Sequence, residues 1–582
     1  MAMGWYGNQF DADTCNLGAL AVLFPLLERM QVAEIIDQHL PKDSRADFSH
    51  GTVLGLLMAA RLHQPTALSN VAAWANDTGA DFLWQVPVEK LNDDRLGRSL
   101  DAFFRERHSI LAHLALHVSR EFGVPLTELH YDPTHILFTG AYDDAQTREG
   151  VVGEKDLVRS DRELKPAHIT KGRGTDDAPD GALMVHAGLC TAVDDYGPVP
   201  LFGHTVDGNQ NGHTAVAEQF ALIRKHLRPA ELTMYSDRGT FSAGHLARLT
   251  QEGFHAVCSA PWGEFRPLFD EHRESLTWKT AGFLSIEQQR RRKDQSDLPL
   301  EHYELAPLRH TLVDEETKHK IPCRVIFVFS TADQKVVRKQ RQKQIDKIRE
   351  GLEQIQNSVS AGRRSTDPAA VSRRVEKLFG LKQAARYFTW EMIPLTKKEQ
   401  AALPPPTRGC QRARNRFTFS FDKQALSEDE TYDGYSVLVT TVPQSQTSAD
   451  VLFTKFKQQS YSEHANRQFK GPLAVRPIFL QSPHRVEALV FLMMMALTAY
   501  FLLQRIYRQS VPADAPPKER RTTTETILRT FRRYVLLIYH HQYLDREVRP
   551  TRLTPAQREL LHRLGFASPA KILSQKLARP PT

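Results

Sequence analysis

Apolar residues recur at every third or fourth position from Leu17 to about Glu121, in the runs LGALAVLFPLLERM, VAEIIDQHL, GTVLGLLMAARL, LSNVAAWAN and LDAFFRERHSILAHLALHVSREF. That spacing puts the apolar side chains on one helical face, so a string of helices is predicted. Turn residues separate them at 41–42, 64–65 and 92–94. Residues 1–122 thus read as an all-helical N-terminal domain of ordinary size. No basic recognition helix stands out, which leaves DNA contact by this domain and a plain packed bundle both open.

From Pro125 the period shortens. LTELHYDPTHILF, ALMVHAGLCTAV and VPLFGHTV read as strands, and the turn residues at 194–197 predict an antiparallel meander of three. A helix (HTAVAEQFALIRKHL), a strand (ELTMYSD), a second helix closed by Gly253 and a further strand (FHAVCSA) follow. This order predicts an α/β layer over 123–265, a mixed sheet with helices on both faces. Asp132 lies in the first strand and Asp237 at the C-terminal end of the fourth. If those strands are neighbours, the two carboxylates meet at one edge, where sites in open α/β sheets gather.

Residues 266–447 interrupt the layer. HYELAPLRHTL, IPCRVIFVFST, RFTFSFD and GYSVLVTT are strand-like, and KVVRKQRQKQIDKIREGLEQIQNSV predicts a long, exposed, basic helix. A β-rich insertion with a basic helical arm is expected to form a subdomain of its own, with linkers at 362–368 and 403–407. Acids on the arm are too few to pair all its cations, Lys339, Arg341 and Lys343 among them, so the pattern favours phosphate contact over a solvated face.

The stretch 456–470, FKQQSYSEHANRQFK, reads as one compact helix placing Phe456, Gln459, Glu463, Asn466, Arg467 and Lys470 on one face. With Asp132 and Asp237, Glu463 makes three hard oxygen donors from three elements, the chemistry of a magnesium site. The 448–510 segment also holds the apolar run 488–503, 16 residues and shorter than a bilayer span, which predicts a buried core helix and no membrane partner. Residues 511–582 read as a basic helical tail, TETILRTFRRYVLLIYHH included.

A chain of 582 residues exceeds one core, so several domains are expected. Net charge is +8, a mild bias that permits an acidic partner without naming one. The cysteines (Cys15, Cys190, Cys258, Cys323, Cys410) form no CxxC pair, which argues against a zinc ribbon or a disulfide framework and fits a reducing compartment. The N-terminus lacks the basic start and apolar run of a signal peptide. A cytoplasmic protein is expected. His135 and His204 have no partner histidine at ligand spacing and read as structural.

Taken together, YDPT at 131–134, GN at 208–209, YSDRG at 235–239, DGYSVLVTT, the Glu463 helix and RPIFL…HRVEAL resemble, in that order, the insertion-sequence DDE transposases. The family's last motif runs Tyr, two residues, Arg, three residues, Glu, six residues, Lys. Glu463 and Lys470 fit it, while Phe456 stands for the tyrosine and Gln459 for the arginine; Pro133 also replaces the small polar residue usual after the first aspartate. The resemblance implies an RNase H-like core with a β insertion before the final glutamate.

It further implies Asp132, Asp237 and Glu463 as catalytic metal ligands. Two Mg2+ (or Mn2+) ions roughly 3.5–4 Å apart would act on the phosphodiester by in-line displacement. Lys470, Arg467 and Arg238 would contact DNA, and transposon ends and target would be held by a homodimer. An RNase H-like nuclease or resolvase without strand transfer, and a non-catalytic DNA-binding descendant, are the competing readings. Glycoside hydrolysis by paired carboxylates is disfavoured by the basic chain and by the absence of an aromatic-rich cleft signature.

Overall fold

The computed structural model describes residues 11–42, 46–138, 163–172, 181–210, 212–284, 301–362, 367–380, 382–403, 405, 412–471, 480, 482–540 and 547–577. Cys410, most of the two linkers and the PLAVRPIF stretch at 472–479 lie outside the described residues.

Strand-forming apolar runs along the second stretch of the chain build a mixed sheet whose central strands are buried almost throughout. After β1 (Asp11–Cys15) come β2 (Glu128–Leu137), the short β3 (Thr170–Lys171), β4 (Leu183–Asp194), β5 (Gly197–Asp207), β6 (Thr233–Ser236) and β7 (His255–Ala260). The meander forms as the sequence predicts: β2 pairs β4 and β4 pairs β5, both antiparallel. Asp194 and Gly197 close the β4–β5 turn, with the Tyr196 amide donating to Asp194 Oδ1 at 3.0 Å. β6 lies parallel to β2, and β7 parallel to β6. Parallel neighbours need a crossover, and the helices Gly212–His226 and Ala243–Gln251 supply it.

The 266–447 stretch departs from the expected separate unit. Its strands β8 (Lys279–Thr280), β9 (Tyr303–Val313), β10 (Lys320–Ser330) and β13 (Tyr435–Thr440) extend the same sheet, giving the order β3-β4-β2-β6-β7-β13-β10-β9-β8 with β5 also on β4. The reason is a long-range pairing: Val437–Thr440 bonds antiparallel to the otherwise open edge of β7. What does stand apart is the arm. Its 30-residue helix Thr331–Ser360 is exposed at the start, then buries Ile345, Ile348, Leu352, Ile355 and Val359 along one seam. These pack with helix Pro368–Phe379 and the hairpin of β11 (Phe388–Pro394) and β12 (Asn415–Phe421) in a separate core.

Helix Pro483–Ser510 crosses the middle of the molecule and is buried on every side from Val486 to Tyr507. It is the one described helix long and apolar enough to cross a membrane, and its apolar window is wholly buried in protein. Its polar residues are satisfied internally: Arg107 Nε donates to Glu487 Oε1 at 2.7 Å, Arg505 Nη1 to Asp194 at 2.6 Å, and Thr498 Oγ1 to the Pro200 carbonyl at 2.7 Å. Such pairing is what a buried polar group requires.

Two other expectations need correction. The N-terminal unit is not all-helical, because β1 pairs antiparallel with β14 (Leu536–His540), which in turn pairs β15 (Glu547–Pro550). The helix expected over TETILRTFRRYVLLIYHH accordingly stops at Thr530, and its apolar second half becomes that central strand. The 456–470 helix is also broken at Gln458, where Ala449–Lys457 ends and Gln459–Lys470 begins.

Candidate active site

Strand alternation decides which side chains meet. Glu128, His130 and Asp132 share one face of β2, and Thr233, Tyr235 and Asp237 share one face of β6 and its end. The register aligns His130 with Tyr235 and Tyr131 with Ser236, so Asp132 and Asp237 are the next residues past the last parallel pair. The His130 and Tyr235 rings stack at 4.8 Å on this face. Pro133, with no N–H to give a ladder, comes just after β6 has ended. Leu129 points the other way and, with Ile223 and Leu227, lines a cavity of about 350 Å³ under helix Gly212–His226.

The broken helix covers the acidic face. Lys455 pairs with Glu128, and about two turns past the break the buried Asn466 donates through Nδ2 to the Asp132 carbonyl at 3.4 Å. The far side of β2 is fixed by close packing at Gly188, opposite Pro133. A Cβ there would stand 2.5 Å from Tyr131 Oη, so only glycine lets the fully buried Tyr131 ring lie flat on β4.

Asp132 is half-buried, and its carboxyl is pushed up to about 7. Burial is the main cause; a hydrogen bond from Asn466 opposes it, the charges of Glu463 and Asp237 raise it further, and Lys470 lowers it. Asp237, Glu463 and Lys470, all expected at the site, therefore act on the one carboxyl of Asp132. Glu463 and Arg467 are exposed on the helix, and Lys470 is half-buried. Asp237 is exposed and turned into its own turn, its Oδ1 accepting from the Arg238 amide at 2.6 Å and from Ser259 Oγ at 3.1 Å. The Arg238 side chain is exposed beside it.

Among the described residues, no three His, Cys, Asp or Glu side chains stand close enough together to hold a metal ion. The two observations agree physically: charge repulsion reaches several ångströms, whereas coordination requires oxygens at roughly 2.0–2.6 Å. The donor chemistry is nonetheless that of a hard cation. The charges of Asp237 and Glu463 both bear on the partly buried Asp132, whose carboxyl is pushed up mainly by burial.

The histidines fall elsewhere. The His135 ring lies against His186 at 4.9 Å, and His204 is fully buried near Tyr131. The arm cations divide. Lys339 and Lys343 are exposed, but Arg341 forks onto the buried Asp433, Nη1 to Oδ2 at 2.8 Å, with Arg338 Nε at 3.2 Å from the same carboxylate. Arg341 was expected among the phosphate contacts; its fork is already occupied, pinning the arm's root beside β13. Asn466 is placed on the helix face by the sequence but given no role there, and Ser259 is not singled out, since only tertiary contact shows that they hold the two aspartates.

A family model described as a domain of unknown function (DUF4277) matches residues 12–116. The match covers β1 and the N-terminal helices and stops before Asp132. A comparison with curated proteins gave no match.

Proposed function

We propose that the chain is a DDE transposase, cutting DNA at the ends of its element and joining the 3′ ends to target DNA in the cytoplasm. The observation that carries this is the coupling of Asp237 and Glu463 to a half-buried Asp132 whose carboxyl is pushed up to about 7. Strand order supports it: β5-β4-β2-β6-β7, an antiparallel meander followed by two parallel strands, is the arrangement expected of an RNase H-like core. So does the exposed basic surface on the arm.

Asp132, Asp237 and Glu463 would hold Mg2+, with Mn2+ as a substitute. Bound there, the ion supplies neutralisation of the charge that builds on the phosphodiester during displacement. The chain's own residues do the rest. Asn466 fixes the strand that carries Asp132. Lys470, at the far end of the same helix, brings a cation to the acidic face and is placed to meet a backbone phosphate, as are the exposed Arg467 and Arg238. Since one site must act on an end and then on a target, two copies on two ends form the working unit.

The test offers a labelled, pre-cut end with plasmid target in Mg2+. Joined product is expected, and Ala at Asp132, Asp237 or Glu463 removes it while DNA binding persists. Nicking without joining, across several candidate ends, would move the assignment to a nuclease; neither product would leave a non-catalytic binder.

A further inference from the structure

We infer that the C-terminal unit carries a second nucleic-acid site, an arginine-lined cleft that grips the phosphate backbone of duplex DNA away from the acidic face. Residues 518–563 hold 11 Lys and Arg against 5 Asp and Glu, so this short stretch carries 6 of the chain's net +8. The fold sorts these cations into two kinds. Arg549 pairs with Glu547, Arg563 with Glu559, and Arg558 donates to the Leu553 carbonyl at 2.9 Å. By contrast Arg529, Arg532, Arg533 and Arg552 form no ion pair among the described residues, and all four line one cavity of about 400 Å³.

Three segments bring them together: the last turn of helix Thr524–Thr530, the turn before β14, and the chain just after β15. Thr554 and Gln557, at the capped N-terminus of helix Pro555–Leu564, complete the lining. The frame is fixed by the Thr551 amide on the Val535 carbonyl at 2.9 Å and by Gln557 Nε2 on the Thr530 carbonyl at 3.0 Å. Four guanidiniums around one concavity repel each other unless an anion sits among them, and a helix N-terminus adds to the positive potential. Pockets for small ligands are mainly apolar with a few polar groups. This lining sets four guanidiniums and three threonine hydroxyls around the single aromatic ring of Tyr534, and planar guanidinium forks suit phosphate oxygens. A polyanion read by its backbone is the ligand that fits.

The anion site stands on its own geometry; naming the polyanion as duplex DNA rests on the function proposed above. The experiment measures binding of the full chain to a short labelled duplex of arbitrary sequence over a range of salt. It compares wild type with Arg532→Ala/Arg533→Ala and Arg532→Lys/Arg533→Lys, all of whose changes fall on exposed positions. If each guanidinium neutralises one phosphate, the double alanine variant loses about two units of salt slope and roughly 50-fold in affinity near 0.1 M salt. The lysine variant recovers the slope. A wild-type slope in the alanine variant overturns the inference. So does a wild-type chain that binds inorganic polyphosphate through these arginines but no duplex, an outcome that also removes the proposed function. Loss of duplex binding in a chain that never cuts or joins any end upholds the cleft and removes only that function.

Discussion

Replacing Asp132 with Asn tests the electrostatics of the acidic face without the chemistry. In the metal-free chain the carboxyl is pushed from its ordinary value of 3.8 to about 7, so the folded state binds this proton more tightly than the unfolded state. Folding stability from this group is therefore greatest below pH 4, falls as pH rises from about 4 to 7, and is level above. Three units correspond to about 4 kcal/mol, and solvent at this half-buried position reduces that by up to half, giving about 2–4 kcal/mol. Asn keeps the shape and removes the ionisable group. Its expected gain is a few tenths of a kcal/mol at pH 4 and about 2–4 kcal/mol at pH 8. The assay is hydrogen exchange of the 128–137 amides in EDTA, which reads opening at this strand without needing the whole chain to unfold in one step. Exchange there should slow roughly 30- to 1,000-fold at pH 8 after correction for the intrinsic rate. An equal effect at both pH values, or none, would show that Asp132 is not buried against like charges.

Adding Mg2+ to wild type should raise its thermal midpoint, by about 2.7 kcal/mol of stability at a hundred times Kd, and the effect should be larger at pH 8 than at pH 6 because Asp132 must first lose its proton; Asp132→Asn should lose the response. Arg341→Ala leaves Asp433 buried with only Arg338 nearby, and should destabilise the arm by about 3–5 kcal/mol by urea unfolding. Lys339→Gln and Lys343→Gln should change stability by less than about 0.5 kcal/mol, yet each flatten the salt dependence of DNA binding by about one unit. Arg107→Met, which strands Glu487 in the core, should cost about 3–5 kcal/mol. Adding Glu487→Met should recover only part, since the Phe104 carbonyl and the Ala167 amide lose their partners too.

Local pattern made some elements legible and hid others. Helix Asp93–Phe122 was readable because its burial follows its own sequence period, whereas Pro483–Ser510, β4 and β5, buried almost throughout, were readable from their apolar runs and the turn residues at 194–197. DADTC has no apolar alternation, so β1 is a strand only because β14 lies beside it. YVLLIYHH is an apolar run too short to separate from a helix by periodicity, and its partners are far away in sequence. The same holds for β13: nothing in YSVLVT says that it closes on β7. At the site, Asp132, Asp237, Glu463 and Lys470 could be picked out in the sequence by residue type and place. The roles of Asn466 and Ser259 depend on contacts across hundreds of residues, and so does the clamp that takes Arg341 out of the phosphate-facing set.

The strand that opens the described chain finds its partner almost at the end of it, with His540 on Asp13 across 527 residues. On the ribosome, at about 5–20 residues per second, β1 waits on the order of half a minute to two minutes before β14 exists. Throughout that time the N-terminal helices can pack on one another but not on the core helix, and a bare strand edge is open to other chains. The matched segment 12–116 is thus a unit of sequence rather than of assembly. A message cut short before its last tenth yields a polypeptide with every residue of the acidic face, yet with its first strand unpaired.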